Sequence, residues 1–139
     1  MILVKIQKKK FNPQKILQNA QKDKKYGALV SFVGSVREET NNGKIKSLLI
    51  EHYENMAEKV IFKTALTAKE KWGLDYCFII HRYGKLRAGE SIVMVITCSK
   101  HRKEAFAANQ YIIDWLKVNA PFWKKEIFEN ESKWVEQTL

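Results

Sequence analysis

The sequence predicts a single domain that combines α-helices with β-strands. The chain has 139 residues, of which 45% are hydrophobic, so it can bury one sizeable core without disulfides or a metal. Residues 75–83 and 91–98 are rich in branched apolar residues, as the central strands of a sheet are. Residues 99–119 instead repeat apolar side chains at helical spacing. No linker, internal repeat or low-complexity segment is visible, so we expect one domain over residues 1–139.

The other elements follow from local apolar and capping patterns. The predicted strands are residues 2–7, 27–34, 47–53, 75–83, 91–98, 122–128 and 133–136. A short first helix begins at Asn12, a suitable N-cap, with Pro13 at its first position. A second helix runs from a capping box of Asn55 and Glu58 to Gly73 at its C-terminus. With residues 99–119, three helices are expected.

The third helix has clear start and stop signals. Ser99 is expected to cap its N-terminus. Pro121 cannot continue a helix, so the helix should end near Asn119. The chain then leaves as a short strand, in which Trp123 is expected to act as a packing anchor, with Trp134 in the last strand.

Cationic residues lie at both ends of this helix. His101 and Arg102 fall in its first turn and Lys117 in its last, with Lys124 shortly after. At about 1.5 Å per residue, His101 and Lys117 are roughly 24 Å apart, so one helix cannot bring them to one small site. A symmetric dimer, with each subunit giving one group, is the simplest shared site. Alternatively, Lys117 only complements the helix dipole and Lys124 is a surface charge.

Another candidate cation follows the second strand. Arg37 lies just past the strand end in a polar, turn-rich stretch, residues 35–44, which we expect to be a mobile loop. Its planar guanidinium suits phosphate or carboxylate, although pairing with Glu38 or Glu39 is the simpler alternative. Residues 84–90 are predicted to form a second long loop, and His81-Arg82 before it to have a structural hydrogen-bonding role.

Composition restricts the partners and the chemistry. The net charge of +10 favours anionic ligands, although runs such as residues 8–10 and 22–25 are usually solvated surface. Cys77 and Cys98 lie in apolar strands without paired spacing, which predicts reduced core thiols in a cytoplasmic protein and no metal site. No nucleotide-binding glycine motif and no recognisable nucleophile occurs. The residues alone therefore predict an anion pocket of Arg37 and the four cations named above, without fixing a reaction.

Several motifs together resemble the large, catalytic subunit of molybdopterin synthase. They are GALVSFVGSVR at residues 27–37, LIEHYENM at 49–56, HRYG at 81–84, HR at 101–102 with AF at 105–106, Lys117, and APFWKKE at 120–126. The resemblance implies an α+β domain of the hammerhead type with a mixed or antiparallel sheet. It also implies a homodimer that binds two small ubiquitin-like sulfur carriers as a heterotetramer. The carrier's Gly-Gly thiocarboxylate would give sulfur to cyclic pyranopterin monophosphate (precursor Z), forming the dithiolene of molybdopterin without a cofactor.

The resemblance also assigns roles to residues. It implies that Lys117 and Lys124 are catalytic, Lys117 acting on the reacting carbon and Lys124 offsetting the thiocarboxylate's charge. The implied substrate-binding residues are Ser35, Val36, Arg37, His101, Arg102, Lys125 and Glu126, with His101 and Arg102 reaching the phosphate from the second subunit. A site shared between two subunits agrees with the distance of roughly 24 Å that one helix puts between His101 and Lys117. The C-terminal tail lacks the arginine of some relatives, for which Lys133 is the available substitute.

Two alternatives from other functional classes stay open on the sequence alone. The charge and the four tryptophans would suit a nucleic-acid-binding module, although no recognised binding motif is present. A non-enzymatic dimeric scaffold for an acidic partner is the other.

Overall fold

The structure is a computed structural model that describes residues 1–52 and 55–135. The strands are β1 (Ile2–Gln7), β2 (Ala28–Ser35), β3 (Glu39–Thr40), β4 (Gly43–Lys44), β5 (Ser47–His52), β6 (Tyr76–Arg82), β7 (Gly84–Arg87), β8 (Ser91–Ser99), β9 (Phe122–Ile127) and β10 (Ser132–Val135). The helices are α1 (Pro13–Ala20), α2 (Met56–Trp72) and α3 (Arg102–Asn119). The ends of the predicted strands 47–53 and 133–136 lie outside the described residues.

Two four-stranded sheets form the framework. The first has the order β1-β6-β8-β2, with β1 parallel to β6 and the other pairs antiparallel. The second, β10-β9-β5-β7, is antiparallel throughout. The two most apolar strands, β6 and β8, are central in the first sheet, as predicted. This confirms an α+β domain with mixed and antiparallel sheets, and the described ranges contain the three expected helices.

The first sheet has a core on each face. Alternate residues of β6 point to opposite sides, so Phe78 and Ile80 face a small cluster with α1, whereas Cys77 and Ile79 face the main core. The main core includes α2, α3 and the inner face of the second sheet. Both thiols, Cys77 and Cys98, are buried and free, as expected.

Within the described residues, no helix is both long and apolar enough to cross a membrane.

Helix boundaries confirm some capping predictions and correct others. The Asn12 side chain accepts hydrogen bonds from the backbone of Gln14 and Lys15, and Gly73 ends α2 in a left-handed conformation (φ 63°), both as expected. The Asn55 capping box was wrong: Asn55 has φ 67° instead of the extended backbone of an N-cap, and its side chain makes no capping bond.

The N-cap of α3 was also predicted wrongly. Ser99 is the last residue of β8, and its hydroxyl donates to the His101 carbonyl. His101 itself is the N-cap, with an extended backbone and no side-chain capping bond. Register with β2 extends β8 further than the apolar pattern does, because Ala28 pairs with Ser99.

Two predicted loops contain strands. Residues 35–44 include the short β3–β4 hairpin, in which the Thr40 hydroxyl donates to the Gly43 carbonyl. Residues 84–90 include β7, which leaves the first sheet and pairs with β5 in the second. Gly84 has φ 90°, a conformation that favours glycine and permits the sharp turn between the sheets.

The prediction that two tryptophans act as packing anchors was also wrong, since Trp123 is 41% exposed and Trp134 is 56% exposed.

Candidate active site

Strand β9 divides its residues between two environments. In the antiparallel register with β5, Lys124 lies opposite Ile50 and Glu126 opposite Leu48, both of which are buried. Residues that face each other in this register project to the same side of the sheet. Lys124 and Glu126 therefore belong to the inner face of the second sheet. Lys125 lies between them in sequence and projects to the opposite face.

The Lys124 ammonium occupies a poorly solvated position. Its side chain is half-buried, and desolvation lowers its pKa below the ordinary value of 10.5. A lowered pKa increases the fraction of neutral amine at a given pH, which is the form that can act as a nucleophile or accept a proton. Lys124 is therefore chemically the most distinctive lysine of this cluster.

A histidine with fixed protonation lies next to this position. His81, at the end of β6, is 4% exposed and stacks on Phe122, with ring centroids 3.9 Å apart and planes at 11°. Its Nδ1 lies 2.8 Å from the Arg82 carbonyl oxygen. Because a carbonyl only accepts, Nδ1 carries the proton. Burial, together with the smaller effect of the nearby Lys124 charge, lowers the pKa of His81 to about 3, so the ring is neutral.

Lys117 and Lys124 flank the turn that joins α3 to β9. Lys117 is exposed in the last turn of the helix, where its charge also complements the helix dipole. Pro121 follows the C-cap residue Ala120, and β9 begins immediately after it. A cleft of about 400 Å³ opens at this turn, lined in part by Lys124, Trp123 and Trp134. It is of the size of small-ligand sites.

The β3–β4 hairpin contacts the same region. The amide of Asn42 donates to the Glu126 carboxylate over 3.3 Å. Lys125, on the other face, lies over the Trp134 ring, 5.0 Å from its centroid. Of the two substrate-binding residues that the resemblance implies on β9, Glu126 thus lies on the Lys124 side of the sheet and Lys125 does not.

The segment from Ser35 to Arg37 leaves the end of β2. The Val36 side chain is buried in the main core, and its backbone N–H and carbonyl are hydrogen-bonded to Glu90 and Gly89. Ser35 and Arg37 are exposed. The Glu38 and Glu39 carboxylates both pair with the Lys44 ammonium, at 3.7 and 3.9 Å. Among the described residues, Arg37 forms no ion pair. The simpler alternative, in which Arg37 pairs with these carboxylates, is therefore wrong.

His101 and Arg102 are exposed at the far end of α3. The helix is continuous from Arg102 to Asn119, so fifteen steps of about 1.5 Å place Arg102 roughly 22 Å from Lys117 along the axis. One subunit therefore does not bring the two cationic groups together, as the sequence predicted.

Two supporting residues received no site role from the sequence. His81 and Arg82 belong to the HRYG motif, and their predicted hydrogen-bonding role is confirmed: His81 donates to a carbonyl, and Arg82 Nε donates to the Lys8 carbonyl over 3.0 Å. Phe122 was missed as the partner of His81. The sequence did contain a signal for this: Phe122 lies two residues before Lys124 on a strand, so both side chains project to the same face. The described ranges contain no group of three or more side chains suited to a metal ion.

Comparisons with known proteins agree on one family. The family model described as MoaE protein matches residues 6–119. The molybdopterin synthase catalytic subunit of Vibrio cholerae is 38% identical over 133 residues, 96% of this chain and 89% of that protein. A crystal structure of molybdopterin synthase from Staphylococcus aureus superposes with a TM-score of 0.86 at 36% identity, covering 95% of this chain and 96% of that one.

A second solved structure comes from a complex. It is the complex of subunits 1 and 2 of the molybdopterin-converting factor of Helicobacter pylori, with a TM-score of 0.82 and 28% identity over 96% of this chain and 90% of that one. Sequence and structure therefore agree over nearly the whole length, and the chain belongs to the MoaE family of molybdopterin synthase catalytic subunits.

Proposed function

We propose that this protein transfers sulfur from the C-terminal thiocarboxylate of a small ubiquitin-like carrier to cyclic pyranopterin monophosphate. Two transfers would form the dithiolene of molybdopterin. The observation that carries the proposal is Lys124, a half-buried lysine with a lowered pKa beside a cleft of about 400 Å³. The family assignment supplies the reaction class.

The carrier tail has a suitable path to Lys124. An extended Gly-Gly terminus is narrow enough to enter the cleft at the α3–β9 turn. The lining of this cleft includes the exposed residues Trp123 and Trp134, on the outer face of the sheet, and Lys124 from the inner face. Capture of a chain terminus in such a cleft is a common mode of peptide recognition. The Helicobacter pylori relative, solved as a complex of two subunits, supports a separate small partner.

The two lysines would divide the chemistry. Each transfer forms a carbon–sulfur bond on the pterin and breaks a carbon–oxygen bond at the same carbon, whose oxygen leaves as the hydroxyl or phosphate group. The carbon–sulfur bond of the carrier's thiocarboxylate breaks as well, and water supplies the oxygen that leaves the carrier with a carboxylate. Although the resemblance implies that Lys117 acts on the reacting carbon, burial favours Lys124 for this role, because desolvation increases the fraction of its neutral amine. Lys117, exposed and close in sequence to the same turn, suits the stabilisation of negative charge on the thiocarboxylate.

The phosphate would be bound by cations from two subunits. Arg37, at the end of β2, has no ion pair among the described residues, and its guanidinium suits a phosphate. His101 and Arg102 would come from the second subunit of a homodimer, because their own helix separates them from Lys117. Ser35 and Glu126 would border the pocket, whereas Lys125 projects from the other face of the sheet.

Exposed apolar residues support such a dimer. Strand β2 is an edge of the first sheet, and Phe32 and Val33 on it are 37% and 39% exposed. Phe106, five residues after His101 on α3, is 61% exposed. A second subunit that covers this surface would bury them and bring another His101 toward the site.

We further propose that the protein works in the cytoplasm. Cys77 and Cys98 are free and buried, and burial raises the pKa of both thiols to about 12, which keeps them unreactive. Free core thiols are typical of a reducing compartment.

The testing experiment measures conversion of cyclic pyranopterin monophosphate to molybdopterin by purified protein and thiocarboxylated carrier. Wild type should turn over, and Lys124→Ala should lose at least about 100-fold in kcat, the range typical of an acid–base group. Lys63→Ala, which removes an exposed lysine of α2, is the matched control and should behave as wild type. Absence of wild-type turnover with a carrier that is competent with a known synthase would contradict the proposal.

A further inference from the structure

A buried cation lies on the opposite side of β6 from His81. The Arg82 side chain is only 6% exposed, and its Nε donates to the Lys8 carbonyl over 3.0 Å. Its Nη1 is buried without a hydrogen bond and lies 3.7 Å from a Glu90 carboxylate oxygen. Because an uncompensated buried charge is costly, this carboxylate is the counter-charge that the arginine requires.

Glu90 gathers three chain segments around its carboxylate. Oε1 accepts a hydrogen bond from the Arg87 backbone over 2.7 Å, and Oε2 pairs with Lys10 Nζ at 2.8 Å. The Arg87 backbone bond, followed by the Lys10 interaction, lowers the pKa of Glu90 to about 2. The carboxylate is therefore fully ionised at neutral pH. Its hydrogen bond with the Arg87 N–H stabilises the turn at residues 87–90.

The same turn holds the residue before Arg37. The Val36 N–H donates to the Glu90 carbonyl over 2.9 Å, and the Gly89 N–H donates to the Val36 carbonyl over 2.8 Å. Gly89 has φ 86°, so the turn needs the conformational freedom of glycine there. Val36 is thus fastened on both sides to a turn whose shape depends on Glu90.

We propose that Glu90 is a positioning residue for Arg37 in pterin phosphate binding. Its carboxylate, fixed by Arg82 and the Arg87 backbone, holds the turn; the turn holds Val36; and Val36 directs the Arg37 guanidinium at the end of β2. Glu90 touches no substrate in this arrangement. The inference rests on the proposed function, since it takes Arg37 as the phosphate-binding residue.

The test is a double-mutant cycle on substrate affinity. Glu90→Gln keeps the size of the side chain and an acceptor for the Arg87 N–H but removes the charge. We expect it to raise KM for cyclic pyranopterin monophosphate roughly tenfold, with kcat within about twofold of wild type. Arg37→Ala should raise KM at least as much. The double variant should match Arg37→Ala alone, because Glu90 acts only through that arginine.

Controls separate this role from general stability. Lys10→Gln removes the partner whose side chain is 76% exposed and should leave KM near wild type, since exposed pairs contribute little. Ile61→Val, in the main core, lowers the thermal midpoint and should leave KM unchanged. If Glu90→Gln folds poorly, Glu90→Asp retains the charge on a shorter stem and should give an intermediate KM.

Each contrary result overturns the inference in a recognisable way. The inference is contradicted if the KM of the double variant rises by the product of the two single effects. It is equally contradicted if Glu90→Gln has a wild-type KM, or if Arg37→Ala keeps wild-type affinity. None of these results would contradict the proposed reaction. The same cycle measured by calorimetry as pterin dissociation constants needs no turnover. Failure of turnover with an intact binding cycle would therefore overturn the proposed function alone, and absence of wild-type binding would overturn both.

Discussion

The imidazole of His81 lies flat on the phenyl ring of Phe122, at 3.9 Å between centroids and 11° between planes. The contact joins the end of β6 in the first sheet to the start of β9 in the second, two residues before Lys124. Since the His81 Nδ1–H is committed to the Arg82 carbonyl, the ring supports the lysine's strand in its neutral form.

Acidification should therefore destabilise the protein through His81. Its pKa is about 3 when folded against 6.5 ordinarily, so between these values the unfolded chain binds a proton that the folded protein does not. The free energy of unfolding falls as the pH drops through this window. Between about pH 7.5 and about pH 4.5 the free energy of unfolding of the wild type should fall by roughly 3 kcal/mol more than that of His81→Asn, which keeps a donor but does not titrate.

Denaturant unfolding of both proteins at the two pH values measures this difference. The comparison cancels the titration of all other groups, Glu90 among them. Parallel pH dependences for wild type and His81→Asn would show that the buried ring contributes no such linkage.

Gly27→Ala should be strongly destabilising. A Cβ at Gly27 would lie 2.0 Å from the Lys100 carbonyl oxygen, a backbone atom just before the N-cap of α3. Because backbone cannot rotate away, we expect a loss of about 3 kcal/mol in the free energy of unfolding. At Gly34 the closest atom is a Val93 side-chain carbon at 2.9 Å, so Gly34→Ala should cost less. Equal losses in chemical denaturation would contradict this ranking.

Arginine substitutions should distinguish the two lysines. Arginine keeps the charge but stays protonated, so Lys124→Arg should lose at least about 100-fold in kcat if the neutral amine acts. Lys117→Arg should retain activity within roughly tenfold, since charge stabilisation survives. In wild type, kcat should rise with pH toward the lowered pKa of Lys124, because deprotonation produces the active form. The reverse ranking of the two arginine variants would return the amine role to Lys117.

Trp134→Ala should weaken carrier binding without unfolding the protein. The ring is 56% exposed beside the cleft and lies against the Lys125 ammonium, so truncation should change stability by less than about 0.5 kcal/mol. Loss of an aromatic anchor at an interface should weaken carrier affinity roughly tenfold. Phe62→Ala on α2, which is 43% exposed, is the matched control. Unchanged carrier affinity for Trp134→Ala in calorimetry would remove this cleft from the interface.

The sequence was informative where one local pattern dominates. The central strands β6 and β8 follow from their apolar runs, α1 from Asn12 and Pro13, and the end of α3 from Pro121. Strand β7 was missed because GKLR has no strand pattern of its own: its pairing with β5 and the burial of Leu86 create the strand. Asn55 and Ser99 were misread because a capping residue is recognised by backbone geometry that neighbouring elements determine.

The site shows the same division. Lys117, Lys124 and Arg37 were predicted as candidate site residues because they are cations near element ends. The family resemblance, which the comparisons confirm, is the basis of the reaction proposed for them. The contacts that hold these residues in place could not be predicted from the sequence. The His81–Phe122 stack and the Glu90–Arg82 pair join residues far apart in sequence, so only the fold brings them together.

Mixed dimers test most directly whether the catalytic site is shared between two subunits. Lys124→Ala and His101→Ala, each inactive alone, are co-expressed with different affinity tags and the doubly tagged dimer is assayed with thiocarboxylated carrier and cyclic pyranopterin monophosphate. Such a dimer has one site with both residues intact and one with neither, so we expect about half of wild-type activity. A mixed dimer as inactive as its parents, or a wild-type protein that sediments as a monomer at micromolar concentration, would contradict it.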